Sequence, residues 1–300
     1  MTGMNNRKGA LFMAAAMAGF TINDAMTKSL THSLGVGQII FLRGALACLF
    51  IYLLMRAQGI RPSLKPLGNP LISVRVACEM LSSVCYLTAL SLIPLANAAA
   101  ILQSLPLAVT FGAALVFRDP VGWRRWLAII AGFVGVLIII RPGAEGFTLP
   151  ALYVVMTVFL AATRDLVTTR IHADTPSIVV TLLTAMGNSV AGFGLMAYQG
   201  WQPVNLPSFA LLAAAALMLM GGYQCIILSM RSGEISFIAP FRYSSMLWAI
   251  GLGFLIFHEV PDLPMLIGMM IVVASGLYMF SRERKRRTII AATAVTEGEA

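Results

Sequence analysis

Apolar residues run along nearly the whole chain in blocks of about twenty, each ended by a short cluster of Pro, Gly or charge. A helix that crosses a bilayer needs roughly 17–25 such residues. The blocks predict ten spans, at residues 9–30, 36–56, 70–93, 95–117, 122–140, 150–171, 177–198, 206–230, 235–257 and 261–281. The expected fold class is an all-α integral membrane protein, since a lone segment in lipid must satisfy its own backbone groups. The first block follows Arg7 and Lys8 as a signal peptide would. It is too long for such a leader and further spans follow, so it reads as a retained helix.

Composition strengthens this reading. Hydrophobic residues make up 59% of the 300 and charged ones 11%, against about 45–50% and about 25% in a soluble chain. No soluble core could bury so much. The net charge of +9 raises nucleic acid as a partner, but no soluble segment interleaves Lys and Arg with aromatics, which excludes it. The bases stand at span ends instead. With ten spans, both termini share one side. The segments on that side carry Arg7, Lys8, Arg56, Arg61, Lys65, Arg118, Arg124, Arg125, Arg170, Arg231, Arg282, Arg284, Lys285, Arg286 and Arg287; the other side carries Lys28 and Arg141. This is the positive-inside pattern, and it puts both termini in the cytoplasm. The tail, 283–300, reads as a topology anchor with a disordered end at 291–300. Cys48, Cys78, Cys85 and Cys225 lie within apolar runs without metal or redox spacing and read as small apolar side chains.

The chain repeats. A shift of 141 lays Ala10-Leu11-Phe12 on Ala151-Leu152-Tyr153, Asp24 on Asp165 and Thr27 on Thr168; a shift of 140 lays Phe117-Arg118-Asp119 on Phe257-His258-Glu259. The expected domains are an N-terminus, 1–8, two five-helix repeats, 9–143 and 149–282, and the basic tail. Five is odd, so the second copy enters the membrane from the opposite side. Inverted halves with a site at their interface are a transporter architecture.

Ionisable groups inside spans cost about 2.5–3.5 kcal/mol each at a helix centre, so they face protein or a cavity. Here they are Asp24, Arg43, Arg75, Glu79, Arg164, Asp165 and Arg242. Arg75 and Glu79 stand one turn apart and are expected to pair with each other. Asp24 and Asp165 each read as a proton site or an ion-pair partner, and Asp24, without an adjacent Arg, is the better proton-coupling position. Arg43 and Arg242 lie about 10 Å inside their spans, at 1.5 Å per residue. After Pro240, which permits a kink, Arg242, Tyr243, Ser244, Ser245 and Trp248 mix donors with flat aromatic faces suited to a planar, hydrogen-bonding ligand. The substrate-binding candidates are Arg43, Tyr86, Arg242, Tyr243, Ser244 and Trp248. Asn97, Gln103, Tyr223 and Gln224 are further wall candidates.

Several segments resemble the drug/metabolite transporter superfamily, in particular its EamA-domain group: residues 20–28, Phe41-Leu42-Arg43-Gly44, residues 86–90, residues 164–168, residues 239–248, and Phe257-His258-Glu259 with Gly268 and Gly276. The resemblance covers about residues 9–282. Asp119 stands where such turns carry Glu, and Arg118 and His258 where Gly precedes the acid. The resemblance implies two inverted bundles around a central cavity, alternating access and a bacterial inner membrane. It also implies a small-molecule substrate such as an amino acid, a nucleotide-like metabolite or a vitamin, riboflavin being the first to test. A proton or another coupling ion is expected, in a monomer or homodimer.

No phosphate-binding loop or His/Cys metal cluster occurs, so neither cofactor nor metal is expected. His32, His172 and His258 fall at span ends. The competing readings are an intramembrane lipid-modifying enzyme and a helix bundle that transports nothing.

Overall fold

The computed structural model describes residues 6–117, 122–141, 149–171, 176–232 and 234–298, without the side chains of 235, 236 and 283–298. Arg118, Asp119, His172 and the tail's side chains beyond Arg282 lie outside the described residues. Ten helical stretches among those described are long and apolar enough to cross a membrane.

In chain order the helices are α1 (Asn6–Leu30), α2 (Val36–Ala57), α3 (Pro70–Leu90), α4 (Leu95–Leu102), α5 (Leu105–Val116), α6 (Trp123–Ile140), α7 (Leu149–Thr168), α8 (Ser177–Gln199), α9 (Leu206–Ser232), α10 (Ile235–Ile238), α11 (Ser244–Phe257) and α12 (Leu263–Gly298). All ten expected spans appear. The third ends at Leu90 rather than 93, in a turn ahead of Pro94, a residue that disfavours helix just before it. The last runs past 281 to Gly298, so residues 291–298, expected to be disordered, have a helical backbone. The alanines at 291, 292 and 294 are strong helix formers.

The fourth span was expected to be continuous, but it breaks at Gln103 and Ser104 into α4 and α5. Pro106 has no N–H for the carbonyl of Leu102, which frees the turn before it. The ninth span breaks as Pro240 suggested. α10 passes into a 3-10 turn over Ala239–Tyr243 before α11 begins. The two breaks thus fall in the fourth and the ninth spans, five spans apart.

The spans pack in a regular pattern: α1 on α9, α3 on α7, α2 on α8, α6 on α12, α1 on α11, α5 on α7, and α4 on α11. Exchanging each span with the one five places on maps this set of pairs onto itself. Lipid gives no hydrophobic drive between helices, so these contacts depend on small residues that bring backbones close. A Cβ on Gly192 would meet the backbone of Phe41, and one on Gly37 the backbone of Met196, across α2 and α8. Gly135 and Gly268 make the same approach between α6 and α12. Gly192→Val is expected to force α2 from α8 at about 1–3 kcal/mol, the usual cost of overpacking, and thermal unfolding of the detergent-purified protein measures it.

The two bases predicted for the outer side are both neutralised. Lys28 is buried against Glu259, and Arg141 pairs with Asp262, whose carboxylate also caps α12 by accepting from the Met265 amide at 3.0 Å. Partial burial pushes the Asp262 pKa up, but that amide and the guanidinium outweigh it and hold the carboxyl below its ordinary range.

Candidate functional site

Six of the seven in-span charges form one linked group, four of them within electrostatic reach of Tyr223. One face of α3 carries Arg75, Glu79, Ser82 and Tyr86 at helical spacing, about 16 Å of polar ladder at 1.5 Å per residue. On α1, Phe20, Asp24 and Thr27 share a face by the same periodicity. α2 brings Arg43, α7 brings Arg164 and Asp165, and α9 brings Tyr223. The Tyr223 ring meets Phe20 edge-on at 5.1 Å, and it lies within electrostatic reach of Glu79, Arg164, Arg43 and Arg75. Tyr223 is 57% exposed, and the charges within its electrostatic reach come from three other helices.

At one end of the ladder Asp24 accepts from the Tyr86 hydroxyl at 2.6 Å and from the Asn23 amide at 3.0 Å. Arg43 donates through Nη1 to Thr27 Oγ1 at 3.1 Å. At the other end Arg164 holds Glu79 at 2.5 Å and Asp165 at 2.7 Å. The expected Arg75–Glu79 pair is therefore corrected. Glu79 pairs with Arg164, and Arg75 donates to Thr168 Oγ1 at 3.0 Å and Thr184 Oγ1 at 2.5 Å. The reason is geometric: Arg164 reaches across from α7 to serve two carboxylates, while the α3 arginine extends to the threonines of α7 and α8. Asp165 is an ion-pair partner, one of the two roles left open for it.

The other substrate-binding candidates stand apart from this group. No hydrogen bond or ion pair among the described residues links Arg242, Tyr243, Ser244 or Trp248 to it. They belong to the crossing of the two broken spans, where the Gln103 amide donates to the Arg242 carbonyl at 2.9 Å and to Ser245 Oγ. Tyr243 is buried in the core against Gly276, and its hydroxyl and Ser244 Oγ are sealed without partners. Trp248 is exposed. Gln103 thus ties one interruption to the other. A recess of about 490 Å³ lined by Cys48, Tyr52, Pro62, Leu64, Leu182 and Met186 has no charged side chain and offers a polar solute little to bond.

Two residues with a larger part than their sequence context suggested are Lys28 and Glu259. Lys28 Nζ donates to Glu259 Oε1 and to the Ile93 carbonyl, both at 2.5 Å, and lies 5.1 Å from the centre of the Phe257 ring. Glu259 Oε2 accepts from the Leu95 amide at 2.8 Å. His258 directs the carboxylate there. It ends α11 in the left-handed region, φ 55°, and lets the Glu259 amide reach back to the Gly253 carbonyl at 3.0 Å. Glycine takes that conformation without strain. Arg170, at the end of α7, stacks on the Phe117 ring at 4.0 Å, a base on a phenyl ring as in the Lys28 cluster.

Residues 7–141 match the model of the EamA-like transporter family. Over that stretch, just under half of its length, the chain resembles this family. Similar proteins include a riboflavin transporter of Vibrio cholerae, 28% identical over 93% of this chain and 95% of that protein. A pseudopaline exporter of Pseudomonas aeruginosa is 26% identical over 93% and 98% of the two chains. An S-adenosylmethionine uptake transporter of Rickettsia prowazekii is 21% identical over 92% and 94%. One solved crystal structure superposes on this chain with a TM-score of 0.60 at 14% identity, covering 95% of this chain and 99% of the other, a likeness of fold alone.

Proposed function

We propose that this EamA-like chain is a secondary active transporter that carries a flat, polar metabolite across a bacterial inner membrane by alternating access. Both termini are cytoplasmic in this reading, because the loops on that side hold nearly all the Lys and Arg that stand at span ends. Residues 9–143 and 149–282 act as two inverted five-helix repeats. The exchange pattern of the packing supports this, as do the two matched interruptions, the sequence mark of a site between halves.

The observation that carries the proposal is the linked group of six in-span charges, four of them within electrostatic reach of Tyr223. Such groups are expensive in lipid and mark solute and ion paths. The chain works as a carrier, without chemistry on its solute. Its driving force is a proton exchanged at Asp24, the one carboxylate of the group that no Arg contacts directly. Alternating access also needs a closure at each end. Lys28 with Phe257 and Glu259 supplies one, and Arg170 with Phe117 the other.

Riboflavin is the first substrate to test, and the named function of the Vibrio cholerae relative supports that choice. Proteoliposomes holding the purified chain and loaded with riboflavin are expected to exchange it for labelled riboflavin with saturation, and to take it up faster under an imposed proton gradient. Saturable exchange of S-adenosylmethionine in its place would reassign the substrate. Flux of no metabolite across a broad panel would defeat the transporter reading.

A further inference from the structure

Asp24 and Arg43 carry opposite charge, lie together inside the membrane and yet do not pair. Thr27, which holds the guanidinium, is three residues from Asp24 on α1. Side chains at that spacing stand about 5–6 Å apart on one face. Each group has a neutral companion, Tyr86 for the carboxylate and Thr27 for the guanidinium. Neither is saturated. An ionised carboxylate has about four acceptor sites and a guanidinium five N–H donors, while two hydrogen bonds reach Asp24 and one leaves Arg43. The sealed, unpartnered polar atoms among the described residues are Asn23 Oδ1, Arg141 Nε, Asn188 Oδ1, Tyr243 Oη and Ser244 Oγ. The remaining nitrogens of Arg43 are not among these sealed atoms. Asn23 leaves its own amide oxygen without a partner while its NH2 points to Asp24. The pair is thus a fixed acceptor beside a fixed donor with unspent capacity, flanked by the rings of Tyr86, Phe20 and Tyr223.

We infer that Asp24 and Arg43 together read one edge of the substrate, an N–H donor set directly beside a carbonyl or ring-nitrogen acceptor on a flat heterocycle. The N–H donates to Asp24 and the acceptor receives from Arg43, while the aromatic side chains cover the ring face. An imide such as the flavin or uracil ring carries this edge, and so does an aminopyrimidine edge such as that of adenine. A simple anion would satisfy only Arg43 and be repelled by Asp24, and a simple cation the reverse. The inference rests on the transporter reading of this site.

The experiment uses the full chain in proteoliposomes with riboflavin and uridine, each beside the analogue methylated at its imide nitrogen. The methyl group removes the donor and leaves the ring. The methylated form is expected to need about tenfold or more higher concentration for half-maximal exchange, the cost of one unmade buried hydrogen bond. In Asp24→Ala the parent compound should weaken and the difference between parent and methylated forms should shrink to about twofold or less. In Arg43→Gln that difference should persist while both compounds weaken. Equal handling of the two forms by the unmodified chain overturns the inference, and so does a penalty undiminished in Asp24→Ala. Flux confined to solutes without such an edge overturns it and leaves the transporter reading standing. Flux of no solute overturns both.

Discussion

Arg164→Ala is expected to lower the stability of the detergent-purified protein by about 3 kcal/mol and to abolish exchange. Among the described residues, Arg164 is the cation in ion-pair contact with both Glu79, at 2.5 Å, and Asp165, at 2.7 Å. Removing one member of a buried pair costs about 3–5 kcal/mol, because the charge left behind has lost its counterion in a poor dielectric. Here two carboxylates are left, but the Asp165 side chain is 41% exposed, which brings the figure to the lower end of that range. The stability loss belongs to the orphaned charge rather than to the missing side chain, so Glu79→Gln in the Arg164→Gln background should recover most of it. Exchange should not recover, since Glu79 and Arg164 belong to the proposed site and both lie within electrostatic reach of Tyr223. Arg242→Ala is the control. Its side chain has no ionic partner among the described residues, so its unfolding midpoint should move little. An unfolding midpoint unchanged in Arg164→Ala would mean that water screens the cluster and that its charges do not organise the site.

The ten spans were legible because lipid imposes one simple rule, a continuous apolar run of fixed length, and the chain obeys it from Asn6 to Arg282. The in-span charges were legible for the same reason, as exceptions to the rule. Their partners were not. Arg75 and Glu79 satisfy the local spacing for a pair, yet Glu79 joins a residue 85 positions away on α7. Local spacing states only what is permitted, and a long guanidinium arriving from another helix takes the better geometry.

The break in the fourth span had a signal in Pro106, but without the matching break after Pro240 it reads as an ordinary tolerated proline. Its meaning comes from Gln103 bridging the two interruptions, a contact across 139 residues. The run from Arg242 to Trp248 looked like a binding wall because it mixes donors and rings. In three dimensions its tyrosine packs on Gly276 and its arginine offers a backbone carbonyl to Gln103, so a composition suited to ligand serves a helix crossing. Lys28 was read as a charge at a span end. Its partner, Glu259, lies 231 residues away, and only the fold brings the two together.

Lys28→Met is expected to loosen the closed end of the transporter selectively. Lys28 and Glu259 have side-chain exposures of 9% and 19%, so their attraction acts with little screening. When that end opens, both groups meet water and the pair's contribution falls towards the about 0–1 kcal/mol of a surface ion pair. The loss on substitution is therefore borne mainly by the closed state. A difference of about 2.7 kcal/mol between two states shifts their ratio about a hundredfold. A cysteine at position 223, in a chain whose four native cysteines are replaced by serine, reports the shift through its labelling rate with a membrane-impermeant maleimide applied from outside. That rate should rise steeply in Lys28→Met and in Glu259→Gln, and the exchanged pair Lys28→Glu with Glu259→Lys should bring it part of the way back. The return is partial because the swapped lysine would face the Leu95 amide, a donor that suits a carboxylate at that position and not an ammonium. A labelling rate that stays at the parent value in both single variants would mean that the opposite end limits access. The Arg170–Phe117 contact, 4.0 Å from guanidinium to ring, would then be the closure to substitute.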